Sequence, residues 1–266
     1  MFKKLTTVLS VLCFSAFAFA DGAEGDIKIS GEVILDIVSE YNFRGVNQED
    51  EGLIVQPAVD LDIGLTETFS IVVGAWGSVH GEETGSDNGW DELYEVEYYI
   101  GAQLQVKDIA LGLAYKWYTS PNDAFNTVEE VALVATYNDS KHWENGFSGL
   151  QPHISIAIET ENATDGGDEG VFLEIGISPT LPLVNIADRD VTLSVPVTLG
   201  FSLDEYYAIS DDDGLGYVEV STIVNVPLVG NWTLHAGPVF LWLIDDIDQS
   251  NDNFEVIGKI GASLSF

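Results

Sequence analysis

The stretch that decides the fold closes the chain and reads Phe254-Glu255-Val256-Ile257-Gly258-Lys259-Ile260-Gly261-Ala262-Ser263-Leu264-Ser265-Phe266. Every second residue, starting from Phe254, is apolar or glycine, and the residues between them are mostly polar. Because successive side chains of a β-strand point to opposite faces, this period of two predicts a strand with one apolar and one polar side. The segment from Val191 to Asp204 alternates in the same way.

The alternation recurs along the whole chain and predicts twelve strands. Short turns and longer acidic loops alternate between them, which is typical of outer-membrane barrels. We therefore predict an all-β fold, a transmembrane antiparallel β-barrel of 12 strands. The joins at 139–149 and 182–189 are longer than tight turns, so 10 or 14 strands are alternatives. The predicted strands span residues 32–43, 52–64, 68–79, 92–106, 108–119, 127–138, 150–161, 170–181, 190–203, 215–228, 231–243 and 254–266.

Composition and the first residues restrict the class of protein. A hydrophobic content of 46% excludes a disordered chain, and a formal charge of −35 excludes nucleic-acid binding, which needs many basic side chains. Lys3 and Lys4, the apolar run after them and the Ala18-Phe19-Ala20 end predict that residues 1–20 are a signal peptide, which is removed. Residues 21–266 would then form a single barrel domain.

The positions of the aromatic residues favour a membrane barrel over a soluble β-sandwich or lipocalin-like barrel. Aromatic side chains fall at both ends of the predicted apolar faces, as expected where a barrel meets the two membrane interfaces. The opposite faces carry too many carboxylates for a soluble core and fit a wet lumen. The sequence therefore predicts a location in the bacterial outer membrane, surrounded by lipid. The aromatic residues are Tyr41, Phe43, Trp117, Trp242 and Phe254 at the outer end and Phe69, Tyr137, Trp232 and Phe266 at the periplasmic end.

The polar faces supply the candidate pore lining. Arg44 should sit near the upper end of strand 1, either paired with carboxylates of neighbouring strand 2 or contacting a ligand directly, and Gly45 should mark the turn into the loop. Trp76 either fills the lumen or forms a constriction. The predicted pore-lining residues are Asp36, Glu40, Arg44, Asp60, Asp62, Trp76, Glu95, Glu97, Lys116, Glu174, Glu219, Glu255 and Lys259.

Motifs of enzyme chemistry are missing from the sequence. The single cysteine, Cys13, lies in the signal peptide, and the chain has neither a phosphate-binding glycine loop nor a GxSxG elbow. The acidic segment after Asp246 has Ile257 where a calcium-binding EF-hand needs Glu. We expect no catalytic residue, cofactor or metal site, and acidic loops that are either simply solvated or weakly bridged by divalent ions.

Several short blocks resemble a known family. They are Ser39-Glu40-Tyr41-Asn42-Phe43-Arg44-Gly45, Gln56-Pro57, Gly74-Ala75-Trp76-Gly77-Ser78 and Glu95-Val96-Glu97-Tyr98-Tyr99-Ile100-Gly101. Over residues 30–120 they are similar to the TorF-type porins of Gram-negative bacteria, although Glu97 stands where Asp is expected in that family. The resemblance implies an outer-membrane β-barrel and a pore, and it implies no substrate and no catalytic residue.

The charge of the predicted loops suggests the function. On the predicted topology they surround the mouth of the barrel, where their negative field would attract cations. We predict a passive channel for small solutes with a cation preference and no enzyme activity. The alternative is a barrel plugged by its own side chains, with a structural or adhesive role through its acidic extracellular loops. The loops are residues 49–51, 82–92, 165–169, 204–213 and 245–252.

Overall fold

The computed structural model describes residues 27–82, 92–144, 146–163, 168–207, 214–244, 247 and 253–266. In this part of the chain twelve antiparallel strands close into one barrel, because the first strand pairs with the last, Val33 opposite Leu264. The predicted fold and strand number are confirmed. The predicted signal peptide lies outside the described residues. No helix within these ranges is long and apolar enough to cross a membrane.

Nine of the twelve wall strands are continuous. Each wall strand pairs with the wall strands that precede and follow it in the chain, and the first pairs with the last. Tight turns join several of them, as at Leu65, whose N–H donates to the Phe69 carbonyl. The continuous strands are β1 (Lys28–Val38), β4 (Ile54–Gly64), β5 (Phe69–His80), β6 (Leu93–Val106), β7 (Ile109–Thr119), β8 (Val128–Tyr137), β9 (His153–Glu161), β16 (Trp232–Leu243) and β17 (Phe254–Ser265).

The other three wall strands are each broken once. Pro179 and Pro196 lie at two of the breaks, and proline has no N–H to donate to the ladder. The third break is at Thr222. Each of these three wall strands consists of two consecutive segments, which are β10 (Val171–Ile177) and β11 (Thr180–Ile186), β12 (Arg189–Ser194) and β13 (Val197–Asp204), and β14 (Gly214–Ser221) and β15 (Ile223–Pro227).

The two joins that were too long for a tight turn have simple explanations. The join at 182–189 is mostly strand, because β11 and β12 form a hairpin. It turns at Ala187 and Asp188, which both have positive φ, as in a type I′ turn. The join at 139–149 contains one 3-10 turn, Ser140–His142. Neither adds or removes a wall strand, so the count of twelve stands.

The barrel is apolar outside and polar inside. Outward side chains such as Ile29 and Ile260 are 64% and 58% exposed, whereas inward Glu130 and Glu174 are fully buried. An exposed apolar surface of this extent needs an apolar solvent, and the arrangement is typical of a membrane barrel. Further exposed outward side chains are Val33, Leu35, Ile100, Leu104, Leu111, Leu113, Leu133, Ile154, Ile175, Leu234 and Val256.

The aromatic girdles are only partly as predicted. Trp242 and Phe254 are exposed and contact each other, with ring centroids 5.1 Å apart, and Trp232 and Phe266 are exposed at the other end. The prediction was wrong for Tyr41 and Phe43, which are buried. The physical reason is that the first wall strand ends at Val38 and not at residue 43, after which the chain turns into the barrel.

Candidate functional site inside the barrel

A short hairpin lies inside the barrel at the end where β1 joins β4. It consists of β2 (Tyr41–Phe43) and β3 (Val46–Glu49), and we call it the inner hairpin. Its two-residue turn is Arg44-Gly45, with φ of 52° and 85°, the geometry of a type I′ turn. A Cβ on Gly45 would lie 2.8 Å from Cδ1 of Ile247, so both the turn and the packing require glycine.

Arg44 at the tip of the inner hairpin crosses the lumen to the far wall. Its Nη1 donates to Oε2 of Glu130 on β8 at 2.7 Å and to the hydroxyl oxygen of Tyr206 at 2.8 Å. The guanidinium also lies over the ring of Phe172, 4.5 Å from its centroid. Both charged side chains are buried, so the tip is held by a desolvated ion pair.

The sequence predicted an ion pair for Arg44, but the predicted partner was wrong. The sequence placed Arg44 on strand 1, beside the Gln56, Asp60 and Asp62 face of strand 2. Because the chain leaves the wall after Val38, Arg44 instead reaches a strand far around the barrel. Tyr207 holds the same turn from another side, since its hydroxyl donates to the Arg44 carbonyl at 2.9 Å.

Further contacts tie the inner hairpin to other parts of the wall. The Tyr41 hydroxyl donates to Glu95 at 2.8 Å, and the Tyr41 ring lies 5.3 Å from that of Trp76. Asn42 donates to Glu255 on β17 at 2.8 Å. Glu40 accepts hydrogen bonds from the side-chain amides of Asn42 and Asn47, which stabilise the hairpin itself. The hairpin is therefore fixed on opposite sides of the lumen.

Apolar and aromatic side chains pack around the inner hairpin in two clusters. Tyr206, Tyr207 and Ile247 belong to segments that were predicted to be outward acidic loops, and in the structure they fold inward instead, because their apolar area is buried against the hairpin and wall. One cluster contains Val38, Tyr41, Phe43, Ile54, Tyr94, Tyr118, Val128 and Ile257. The other contains Ala157, Phe172, Tyr206, Tyr207, Tyr217, Leu241, Leu243 and Ile247.

A polar pocket remains between the inner hairpin and the wall strands β14, β16 and β17. Its charged lining residues come from both sides, with Glu40 and Arg44 on the hairpin side and Glu219 and Lys259 on the wall. Gln56 on β4 also lines it. The pocket therefore lies at the end of the lumen that the inner hairpin occupies, with polar and apolar side chains around it.

The structure places the predicted pore-lining residues in two groups. Arg44 lies on the inner hairpin and Glu40 directly before it, so neither is on strand 1 as predicted. Trp76 packs against the hairpin. On the wall, Lys259 pairs with Asp36 at 2.9 Å, and the Tyr99 hydroxyl donates to Asp60. The wall residues with side chains on the inner face are Asp36, Asp60, Asp62, Trp76, Glu95, Glu97, Lys116, Glu174, Glu219, Glu255 and Lys259.

Sequence reasoning missed several interior residues, above all Glu130. Glu129 and Glu130 are adjacent, so the sequence does not show at once which of them points inward. Counting back from Leu133, which is exposed on the outer face, places Glu130 on the inner face. His235 was also missed as a partner of Asp36, to which its Nε2 lies at 2.6 Å. Both residues contact charged side chains that are distant in sequence, which alternation alone does not identify.

Acidic side chains dominate the inner face. Within the described ranges the basic side chains on the inner face are Lys28, Arg44, Lys116 and Lys259, with the histidines, and Arg44 and Lys259 pair directly with carboxylates. No group of three or more His, Cys, Asp or Glu residues among the described part of the chain could hold a metal ion. The interior carboxylates are Glu32, Asp36, Asp60, Asp62, Glu95, Glu97, Glu130, Glu159, Glu174, Glu219 and Glu255.

Comparison with solved structures identifies the fold. The chain is similar to the COG4313 outer membrane channel from Pseudomonas putida F1, with a TM-score of 0.54 and 11% identity over 93% of this chain and 100% of that one. It is also similar to the NanC porin, with a TM-score of 0.51 and 11% identity over 88% and 98%. The fold is thus that of bacterial outer-membrane β-barrels, in agreement with the predicted location.

Sequence comparison identifies the family. No curated protein matches the chain. Residues 20–187, more than half of the chain, match the model of a family described as "Bacterial protein of unknown function (Gcw_chp)". This range contains the blocks at 39–45, 74–78 and 95–101 that carried the resemblance to porins. The chain therefore belongs to the Gcw_chp family of bacterial proteins, and within it has the fold of an outer-membrane barrel.

Proposed function

We propose that the protein is an outer-membrane channel for small solutes, with a preference for cations, and that the inner hairpin forms its constriction. The observation that carries the proposal is the excess of carboxylates over basic side chains on the inner face. The porin and channel folds of the similar structures and the resemblance to TorF-type porins support it.

Electrostatics gives the direction of selectivity. Arg44 is neutralised by Glu130 and Lys259 by Asp36, so the carboxylates without a basic partner determine the sign of the field. A low-dielectric wall focuses that field, which raises the local cation concentration and repels anions. Glu219 lines the polar pocket beside the inner hairpin, where a permeating ion would pass closest to protein.

One observation favours a second candidate, a plugged barrel with a structural or adhesive role through its acidic extracellular loops. The two clusters around the inner hairpin bury large aromatic side chains such as Phe172 and Tyr217 inside the lumen. If the polar pocket does not connect the two ends of the barrel lumen, no ion can pass through the barrel. The acidic loops would then act at the surface, where weak divalent bridging between neighbouring molecules is one role.

Planar-bilayer recording with purified protein tests the proposal. Across a KCl gradient the reversal potential should have the sign of cation selectivity, and it should shrink as ionic strength rises from about 0.01 M to about 1 M, because the screening length falls from about 30 Å to about 3 Å. Glu219→Gln should reduce the selectivity, whereas Glu144→Gln in an exposed loop should not. A reversal potential of zero or of anion-selective sign refutes the cation channel, and a lack of current supports the plugged barrel.

A further inference from the structure

Four polar side chains on adjacent strands lie close together on the inner wall. They are His153 on β9, Glu174 on β10, Thr198 on β13 and Glu219 on β14. The register brings them together, since Gly176 pairs with His153 on one side and with Thr198 on the other, and Thr198 pairs with Glu219. Glu174 shares a face with Gly176, two residues along the same strand. We call these four residues the Glu174 site.

Four polar atoms, on three residues of the Glu174 site, lack hydrogen-bond partners among the described residues, whereas Glu219 accepts a hydrogen bond from Ser221 at 3.3 Å. Glu174 is fully buried and neither of its carboxylate oxygens accepts a hydrogen bond, and the Thr198 hydroxyl, 1% exposed, is also unpartnered. The same holds for Nε2 of His153, which is 7% exposed. Burying such groups without partners costs several kcal/mol, about 1–3 for each neutral group and more for a charged one.

The acceptors of the Glu174 site indicate which chemical group would fit it. The carboxylate of Glu174 and the hydroxyl of Thr198 can both accept hydrogen bonds. Nε2 of His153 lies 3.7 Å from Oε1 of Glu174, beyond hydrogen-bond distance, so it does not satisfy the carboxylate. A ligand that satisfies these oxygen acceptors must donate several hydrogen bonds and carry positive charge.

We propose that the Glu174 site binds the primary ammonium group of a small organic amine. An ammonium has three N–H donors and one charge, which match the two carboxylate oxygens of Glu174 and the Thr198 hydroxyl. Glu219 adds a second carboxylate, and because it also lines the polar pocket it links the site to the lumen. This inference deepens the proposed cation preference and rests on it for the delivery of the amine.

Calorimetry on the purified full-length barrel in detergent tests the site with 1,4-diaminobutane as the probe. Its fully methylated bis-quaternary analogue has the same charge but no N–H donors and should bind at least tenfold more weakly. Glu174→Gln should weaken diamine binding at least tenfold and Thr198→Val severalfold. Glu32→Gln removes an equal charge elsewhere in the interior and should change the affinity less than twofold.

Several results would overturn the site. They are a lack of diamine binding, equal binding of the methylated analogue, or an equal loss of affinity in Glu32→Gln and Glu174→Gln. The shift of the folded band on heating in SDS shows whether each variant has folded, and Thr198→Val carries the test if Glu174→Gln does not fold. Calorimetry needs no ion flow, so diamine binding without current refutes only the channel, whereas cation-selective current without diamine binding refutes only this site.

Discussion

Removing Arg44 should release the inner hairpin. Arg44→Ala deletes the ion pair with Glu130 and the hydrogen bond to Tyr206, and it leaves Glu130 buried in the wall without its strongest partner. The guanidinium stacking on Phe172 is lost as well. All of these contacts join the hairpin to the wall, so their loss should weaken the docked position of the hairpin and not the barrel strands.

The size of the effect follows from the burial of the pair. Breaking a buried ion pair by deleting one partner costs about 3–5 kcal/mol. The lower end applies here, because Lys116 lies opposite Glu130 in the β7–β8 ladder and the Tyr118 hydroxyl still donates to Glu130 at 3.2 Å. About 3 kcal/mol lowers the ratio of docked to released hairpin by about a hundredfold, at 1.4 kcal/mol for each factor of ten.

Single-channel recording measures this directly. Arg44→Ala should show larger or more frequent channel openings than the wild type. Arg44→Lys should show openings between those of the wild type and Arg44→Ala, because lysine lacks the planar guanidinium. Lys141→Ala removes an ion pair with Asp108 that is exposed to solvent and therefore weak, and it should leave the openings unchanged. In a double-mutant cycle, Arg44→Ala and Glu130→Ala should be strongly non-additive. Wild-type openings and melting in Arg44→Ala, or additive effects in the cycle, would refute the reasoning.

Three further predictions concern the wall and turns. Ile260→Arg introduces a charge on the lipid face and should cost about 2–4 kcal/mol near mid-bilayer, whereas Lys259→Arg, one residue earlier and inward, should fold normally in a lipid-vesicle assay. A left-handed backbone at a residue other than glycine costs about 1–2 kcal/mol of stability. Gly45→Ala should destabilise the protein by more than this, because the new Cβ would also clash with Ile247. Gly230→Ala should cost only the backbone strain, because Gly230 also has positive φ but has open space around it. At Asp139, burial alone would raise the pKa, but hydrogen bonds from the Gln151 and Leu150 N–H groups and the Trp143 indole lower the pKa below its usual value. Its stabilisation is therefore present above about pH 4 and is lost as pH falls through the lowered pKa, so Asp139→Ala should lower the melting temperature at pH 7 by an amount that vanishes in acid.

The wall of the barrel could be predicted because its physics is local. Alternation fixes which side chains face lipid and which face inward, and every continuous wall strand overlaps a predicted one. The broken strands were also found, since Pro179 and Pro196 interrupt the ladder without changing the direction of the chain. Lipid-facing and lumen-facing residues alternate in any membrane barrel, so the pattern needs no knowledge of distant contacts.

The inner hairpin could not be predicted, because its alternation continues that of strand 1. Residues 41–43 read as more wall, and the turn at Gly45 was expected only to lead into a loop. What draws the hairpin inward is burial against Tyr118, Phe172 and Tyr217, residues that are distant in sequence. The partner of Arg44 was misassigned for the same reason, since Glu130 is far along the chain and becomes a neighbour only after the barrel closes.

The central claim is that the inner hairpin constricts a cation-preferring channel. The most direct test replaces residues 40–49 by a short Gly-Ser linker and compares its conductance in planar bilayers with that of the wild type. We predict that the variant still closes into a heat-modifiable barrel and conducts severalfold more current, with the reversal potential still of cation-selective sign. A folded variant with wild-type conductance, or one whose larger current prefers anions, would contradict the account.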